Sequence, residues 1–157
     1  MKSELFTHQY ELVQSSRNVV LDFCMSFREG DYTKGLMFDG KSICNLHIHT
    51  ANTYQGWIMT IARNLQAERY KEAEYQSPQS IKELFQEIDA MVFSFIQESA
   101  HNWLETLEAE IRGKKYSITR AQIFTHVITH EFHHKGQVLM LARQMGYTPP
   151  DTDIIRI

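Results

Sequence analysis

Residues 126–138 read HVITHEFHHKGQV, and His130, Glu131 and His134 within them fit H-E-x-x-H. On a helix that spacing brings two imidazoles to one zinc ion with a carboxylate beside them. Taking His130 as zero at about 100° per residue, His134 falls at about 40° and His126 at about −40°. On the same scale Ile123 and Leu141 fall near about 20°, Val127 and Met145 near about 60°. His130 and His134 therefore lie within the apolar stripe, where an unsatisfied imidazole costs a few kcal/mol. Each ring needs a hydrogen-bond partner or a metal, and the i, i+4 pair lets two rings converge on one ion. His133 falls near the polar boundary, as a second-layer donor would. His126 is also four residues from His130, so geometry keeps it open as a ligand.

A peptidase reading meets a difficulty. Zincins take a third ligand downstream of the motif, and the metzincin form needs Gly at 137 and His at 140. This sequence has Gln137 and Met140, with Asp151 and Asp153 as the only later acidic side chains. Glu131 also lies well round the helix from the midpoint of His130 and His134, so a zincin base at Glu131 is poorly supported.

The missing ligand must then come from another element. Four segments repeat apolar residues at helical spacing. The first runs from about Ser3 to Arg28 and is followed by a loop punctuated by Gly30, Gly35 and Gly40. Ser42 is a good N-cap for a second helix reaching about Glu68. Ser77-Pro78 opens a third, with Ile81, Leu84, Phe85, Ile88, Val92 and Phe95 on one side. The stretch 99–118 is weakly patterned, and EIRGKKYSIT reads as a short hairpin turning at Gly113 or as an ordered loop. Thr119 with Gln122 resembles a capping box and starts the last helix, which ends near Gly146. The tail DTDIIRI packs back on the bundle. The expected fold is all-α: one domain, residues 1–157, built as a four-helix bundle with a short irregular or hairpin segment before the last helix.

Facing helices supply metal ligands in such bundles, and the second helix offers His47 and His49. Periodicity puts His47 nearer the middle of its apolar arc and His49 at the polar border, and does not choose between them. His8 and His101 read as surface or boundary residues.

Composition narrows the function classes. Only 7 Gly and 3 Pro favour long helices over a many-turned β protein. The net charge of −3, without a compact Lys/Arg cluster, gives no case for nucleic acid. No run of 18 apolar residues marks a membrane span, and MKSELFTHQYELV lacks the apolar core of a signal peptide. Cys24 and Cys44 fall in helical segments and read as reduced, mostly buried thiols of a cytoplasmic protein.

The order SICNLHIHTANTYQGW, then HVITHEFHHKGQVLMLARQMG, then PPDTD resembles the DinB/YfiT-like metalloenzyme family over nearly the whole chain. The resemblance implies a four-helix bundle holding a divalent metal by three histidines, one on the second helix and two on the last. In the family pattern the second-helix ligand stands seven residues after the opening Ser and eight before the Trp. With Ser42 and Trp57 at those places, the implied ligands are His49, His130 and His134. Lys135 stands where arginine is more usual, keeping charge but losing a bidentate fork.

Three neutral imidazoles leave coordination positions open, as catalytic sites do. Zn or Ni leads the candidate metals, with Fe, Co or Mn also compatible with the donors. Glu131, Gln137, His126 and Asn52 are candidates to orient the ligands. The resemblance implies an enzyme of the thiol S-transferase type, using a low-molecular-weight thiol, or of the hydrolase type, acting on an unknown small-molecule substrate. The alternative is a non-catalytic metal-binding or stress-related bundle protein. A homodimer is compatible with an exposed bundle face.

Overall fold

The computed structural model describes residues 2–37 and 39–156. Phe38 of the first loop and Ile157 of the tail, both within stretches considered above, lie outside the described residues. Helix α1 spans Lys2–Cys24, α2 Ile43–Gln55, α3 Pro78–Glu98 and α4 Arg120–Gln144, with strands β1 Thr106–Ile111 and β2 Lys114–Thr119 between the last two helices. The molecule is mostly helical with one two-stranded sheet, which amends the all-α expectation.

The helix starts follow their capping chemistry. Ser42, Ser77 and Thr119 each accept a bond from the amide three residues on, and Asn45, Ser80 and Gln122 return one to the cap backbone. Each exchange satisfies amides that the first helical turn leaves without a partner. At the far end of α4, Gly146 adopts φ 88°. Its amide bonds to the Arg143 carbonyl, and that of Tyr147 bonds to Ala142. This is a Schellman end, which glycine permits because it lacks a Cβ to clash at positive φ.

Two helix ends differ from the periodicity. The first helix stops at Cys24, not Arg28, because a partner just beyond the end of α4 captures the chain. Phe27 stacks on Tyr147 with ring centroids 4.2 Å apart, and the Arg28 amide donates to the Tyr147 hydroxyl at 2.7 Å. The second helix stops being α-helical at Gln55 and continues as a π-helical segment, Gly56–Ala62. The Arg63 amide bonds to Ile58 five residues back and caps the segment, and Asn64 follows at φ 54°. Arg63 ties this end to α3 through Glu98 at 2.7 Å and Ser94 at 3.0 Å. The periodicity is blind to this, because a π segment changes the repeat only after it has begun.

The weakly patterned stretch is a hairpin. Thr106 pairs with Thr119 and Ile111 with Lys114, leaving Arg112 and Gly113 as a two-residue turn at φ 52° and 75°. Positive φ at both positions defines the type I′ turn that matches strand twist. Trp103 roots the hairpin in the bundle: it is buried, stacks on Phe6 at 3.8 Å, and its carbonyl accepts from the Ala121 amide.

Helix α1 packs mainly on α3 and α2 mainly on α4, around a core that includes Tyr10, Leu21, Tyr54, Ile88, Phe95 and Phe124. The tail returns to this bundle as expected: the Thr152 carbonyl accepts from Ser16 Oγ at 2.6 Å and from Lys135 Nζ at 2.8 Å. Cys24 and Cys44 are free and buried, and burial raises both thiols to about 12. Among the described residues no helix is long and apolar enough to cross a membrane.

Candidate metal centre

The α2–α4 contact brings three histidines together. His49 Nε2 stands 3.2 Å from His130 Nε2, which stands 3.3 Å from His134 Nε2. All three ligand atoms lie within 4.8 Å of one another, the one such group of three or more His, Cys, Asp or Glu among the described residues. Two nitrogens held about 2.05 Å from one tetrahedral ion stand about 3.3 Å apart. The two short separations therefore fit a shared divalent ion. His49 lies exposed at the rim, and His130 and His134 are half-buried.

Neutral rings are the form that ligates, and the surroundings favour it. Burial, then the neighbouring histidines, holds His130 down to about 4. Burial also lowers His49, assisted by His134, Lys41 and Arg69. His134 is lowered by burial despite the opposing effect of Gln137. That glutamine sits on the far side of the ring: His134 Nδ1 is 2.6 Å from Gln137 Oε1. With the proton on Nδ1 donated to the amide oxygen, the Nε2 lone pair faces the cluster. The Gln137 amide nitrogen reaches His133 Nε2 at 3.4 Å, so exposed His133 stands behind the His134 ring. His130 Nδ1 is buried without a protein partner, and the polar contacts of this ring run through Nε2.

The structure separates His47 from His49. His47 is buried and its Nδ1 lies 2.8 Å from the Tyr32 hydroxyl, on the short helical turn of the first loop. Burial raises the Tyr32 phenol far above its usual range, so it stays protonated and donates. His47 is a hydrogen-bonded core histidine, and burial, with the Arg17 charge, lowers it to about 3. His8 and His101 are exposed, as anticipated.

Glu131 is turned away from the cluster. Its carboxylate accepts from Arg17 Nε at 2.8 Å, Arg17 Nη2 at 3.0 Å and the Tyr54 hydroxyl at 2.6 Å. Arg17 also donates to Asp89 at 2.6 Å, and Asp89 accepts from Tyr10 at 2.7 Å. This buried network joins all four helices. A carboxylate with that many donors is committed to structure, so the H-E-x-x-H match carries no zincin base. The network was missed in the sequence, although Tyr10, Val13, Arg17, Val20 and Cys24 put Arg17 within the apolar repeat of α1.

Two further candidates to orient ligands have other duties. Asn52 exchanges hydrogen bonds with the backbone of Tyr70, 2.9 Å each way, pinning the chain that follows the π segment. His126 packs against Trp57 at 4.5 Å and lies 5.7 Å, ring to ring, from His130. Both line a groove of about 890 Å³ that opens beside His49 and His130, between the π segment and the hairpin. Trp57, Ile111 and Ile118 form apolar parts of its wall, and Arg69 and Arg112 the cationic parts.

A helical bundle with a hairpin before its last helix and a three-histidine cluster between α2 and α4 defines a class of candidate metalloproteins. The model of the DinB family matches residues 1–157, and the chain belongs to that family. Its fold is similar to the crystal structure of a DinB-like protein from Bacillus cereus ATCC 10987, with TM-score 0.70 and 17% identity over 94% of this chain and 95% of that one. A DinB-like protein from Bacillus subtilis aligns with TM-score 0.63 and 19% identity, covering 91% and 98%. No curated protein matches the chain.

Proposed function

We propose that this DinB-family protein binds one divalent metal ion through His49, His130 and His134, and is a metal-dependent enzyme of the thiol S-transferase or hydrolase type. The observation that carries the reading is the convergence of the three Nε2 atoms, with separations of 3.2 and 3.3 Å, at the mouth of a groove large enough for a small molecule. Three neutral donors leave the ion net positive, with positions for an exchangeable water or a substrate atom. When bound, the metal supplies Lewis acidity, lowering the pKa of a coordinated water or thiol. The protein's part is to hold the rings neutral, to fix the His134 tautomer through Gln137, and to shelter one side of the ion with Trp57 and the hairpin. Zinc and nickel suit three imidazoles, and cobalt, iron and manganese follow.

Metal analysis of the purified and cobalt-loaded protein tests the site. The wild type is expected to hold one ion per chain. His49→Ala, His130→Ala and His134→Ala are each expected to lose it, and His133→Ala to retain it. Unchanged metal content in both His49→Ala and His130→Ala would remove the site. Conjugation of a bromobimane electrophile by the fully metallated protein, with and without added thiol, then separates the chemistries. Absence of thiol dependence turns the reading to hydrolysis, and a metal without exchangeable water turns it to a non-catalytic metal-binding bundle.

A further inference from the structure

The walls of the groove beside the histidines carry a charge pattern opposite to that of the chain. The protein has 19 acidic and 16 basic residues, for a net charge of −3. The groove lining nevertheless includes Arg69 and Arg112 and no Asp or Glu. Neither guanidinium has a hydrogen-bond or ion-pair partner among the described residues; Arg17, Arg28, Arg63 and Arg156 have acceptors, and Arg120 and Arg143, which also have none there, lie outside the groove.

The backbone holds both arginines in place at the groove. Arg69 directly precedes Tyr70, whose amide and carbonyl are locked to Asn52. Arg112 occupies the first turn position of the hairpin at φ 52°. An L-residue in that left-handed region costs about 1 kcal/mol, and asparagine or glycine is the usual occupant of a type I′ turn. An arginine placed there against its conformational preference, on the rim of a groove, points to use of its side chain.

We propose that Arg69 and Arg112 bind the carboxylates of an anionic small-molecule substrate whose metal-seeking atom reaches the three-histidine centre. The inference rests on the metal reading above and adds the substrate class. Arginine forks match carboxylates with paired, charge-assisted hydrogen bonds. Trp57, Ile111 and Ile118 give the same groove an apolar wall, and the ion attracts the same sign of charge at the other end. A neutral molecule of equal size would gain only the apolar and metal contacts.

The test uses the full-length protein loaded with cobalt, titrated with glutathione and, separately, with glutathione diethyl ester. The two share one thiol and differ in their two carboxylates, and the readout is the thiolate-to-cobalt absorption. Losing charge-assisted bonds to arginine is expected to weaken the ester about tenfold or more relative to glutathione. The Arg69→Gln/Arg112→Asn double variant is expected to bring glutathione down to the affinity of the ester, with the affinity for the ester changed less than about twofold. Arg112→Asn preserves the turn, because Asn-Gly is a favoured type I′ pair.

Equal binding of the two thiols by the wild type would overturn the proposal. So would binding of neither to a fully cobalt-loaded protein, or an equal loss for both in the double variant. Failure of the wild type to take up cobalt at all is a separate result: it sinks the metal reading, and the substrate proposal with it.

Discussion

His130 and Glu131 are adjacent in sequence and serve different sides of α4. His130 turns its Nε2 to within 3.2 Å of His49, and Glu131 turns its carboxylate into the bundle to meet Arg17 and Tyr54. The roughly 100° step between consecutive helical residues makes this division obligatory. The motif that looks like one catalytic unit is thus split between a candidate metal centre and a structural ion network.

That division predicts the behaviour of Glu131→Gln. Removing the charge leaves buried Arg17 with only Asp89 as a counter-ion, and breaking one partner of a buried pair costs about 3–5 kcal/mol. For a chain of this size that lowers Tm by roughly 6–20 °C. Metal content of the folded protein is expected to stay at the wild-type level. Loss of metal at full thermal stability would instead place Glu131 in the site.

Gln137 is expected to act on affinity rather than stoichiometry. Its carbonyl oxygen is the 2.6 Å acceptor for His134 Nδ1, and loss of such a partner typically weakens metal binding about 10–100-fold. Competition with a chromophoric chelator should show Gln137→Ala holding one ion per chain at saturation, but more weakly. Wild-type affinity in Gln137→Ala would mean that packing alone orients the ring.

His47 predicts a pH dependence of stability. Burial lowers it in the fold to about 3, from an ordinary value near 6.5. Between those values the unfolded chain takes up a proton that the folded one refuses, so stability rises with pH. The contribution of the neutral form is complete above about pH 6.5 and is lost progressively as pH falls toward about 3, with a limiting slope of about 1.4 kcal/mol per pH unit. Urea midpoints of the metal-free protein at pH 7.5, 6 and 5 measure this. His47→Gln, which cannot titrate, should show a shallower fall, and an unchanged slope would assign the dependence to other groups.

Much of this protein was legible one residue at a time. Ser42, Ser77 and Thr119 announced helix starts, because a cap is a local exchange between a side chain and amides three residues away. Gly146 announced the end of α4 for the same reason of range. Helical spacing also put His130 and His134 on one apolar face, and the combined motifs identified the family. Periodicity alone carries the first helix four residues past its end at Cys24, because that end is set by Phe27 and Arg28 meeting Tyr147, more than a hundred positions away. The π segment after Gln55 has no spacing signal of its own, because Trp57, Ile58 and Ile61 fit an α-helical repeat equally well.

Between His47 and His49, periodicity favoured neither, and only the resemblance chose. The tertiary structure supplies the physical reason: Tyr32 closes over His47 from the first loop, and the α2–α4 contact turns His49 toward His130. Local sequence determined which residues share a face of each helix, because that follows from backbone geometry alone. Which faces meet depends on packing between segments far apart in the chain. That packing set the three-histidine cluster, the burial of Glu131, and the groove flanked by Arg69 and Arg112.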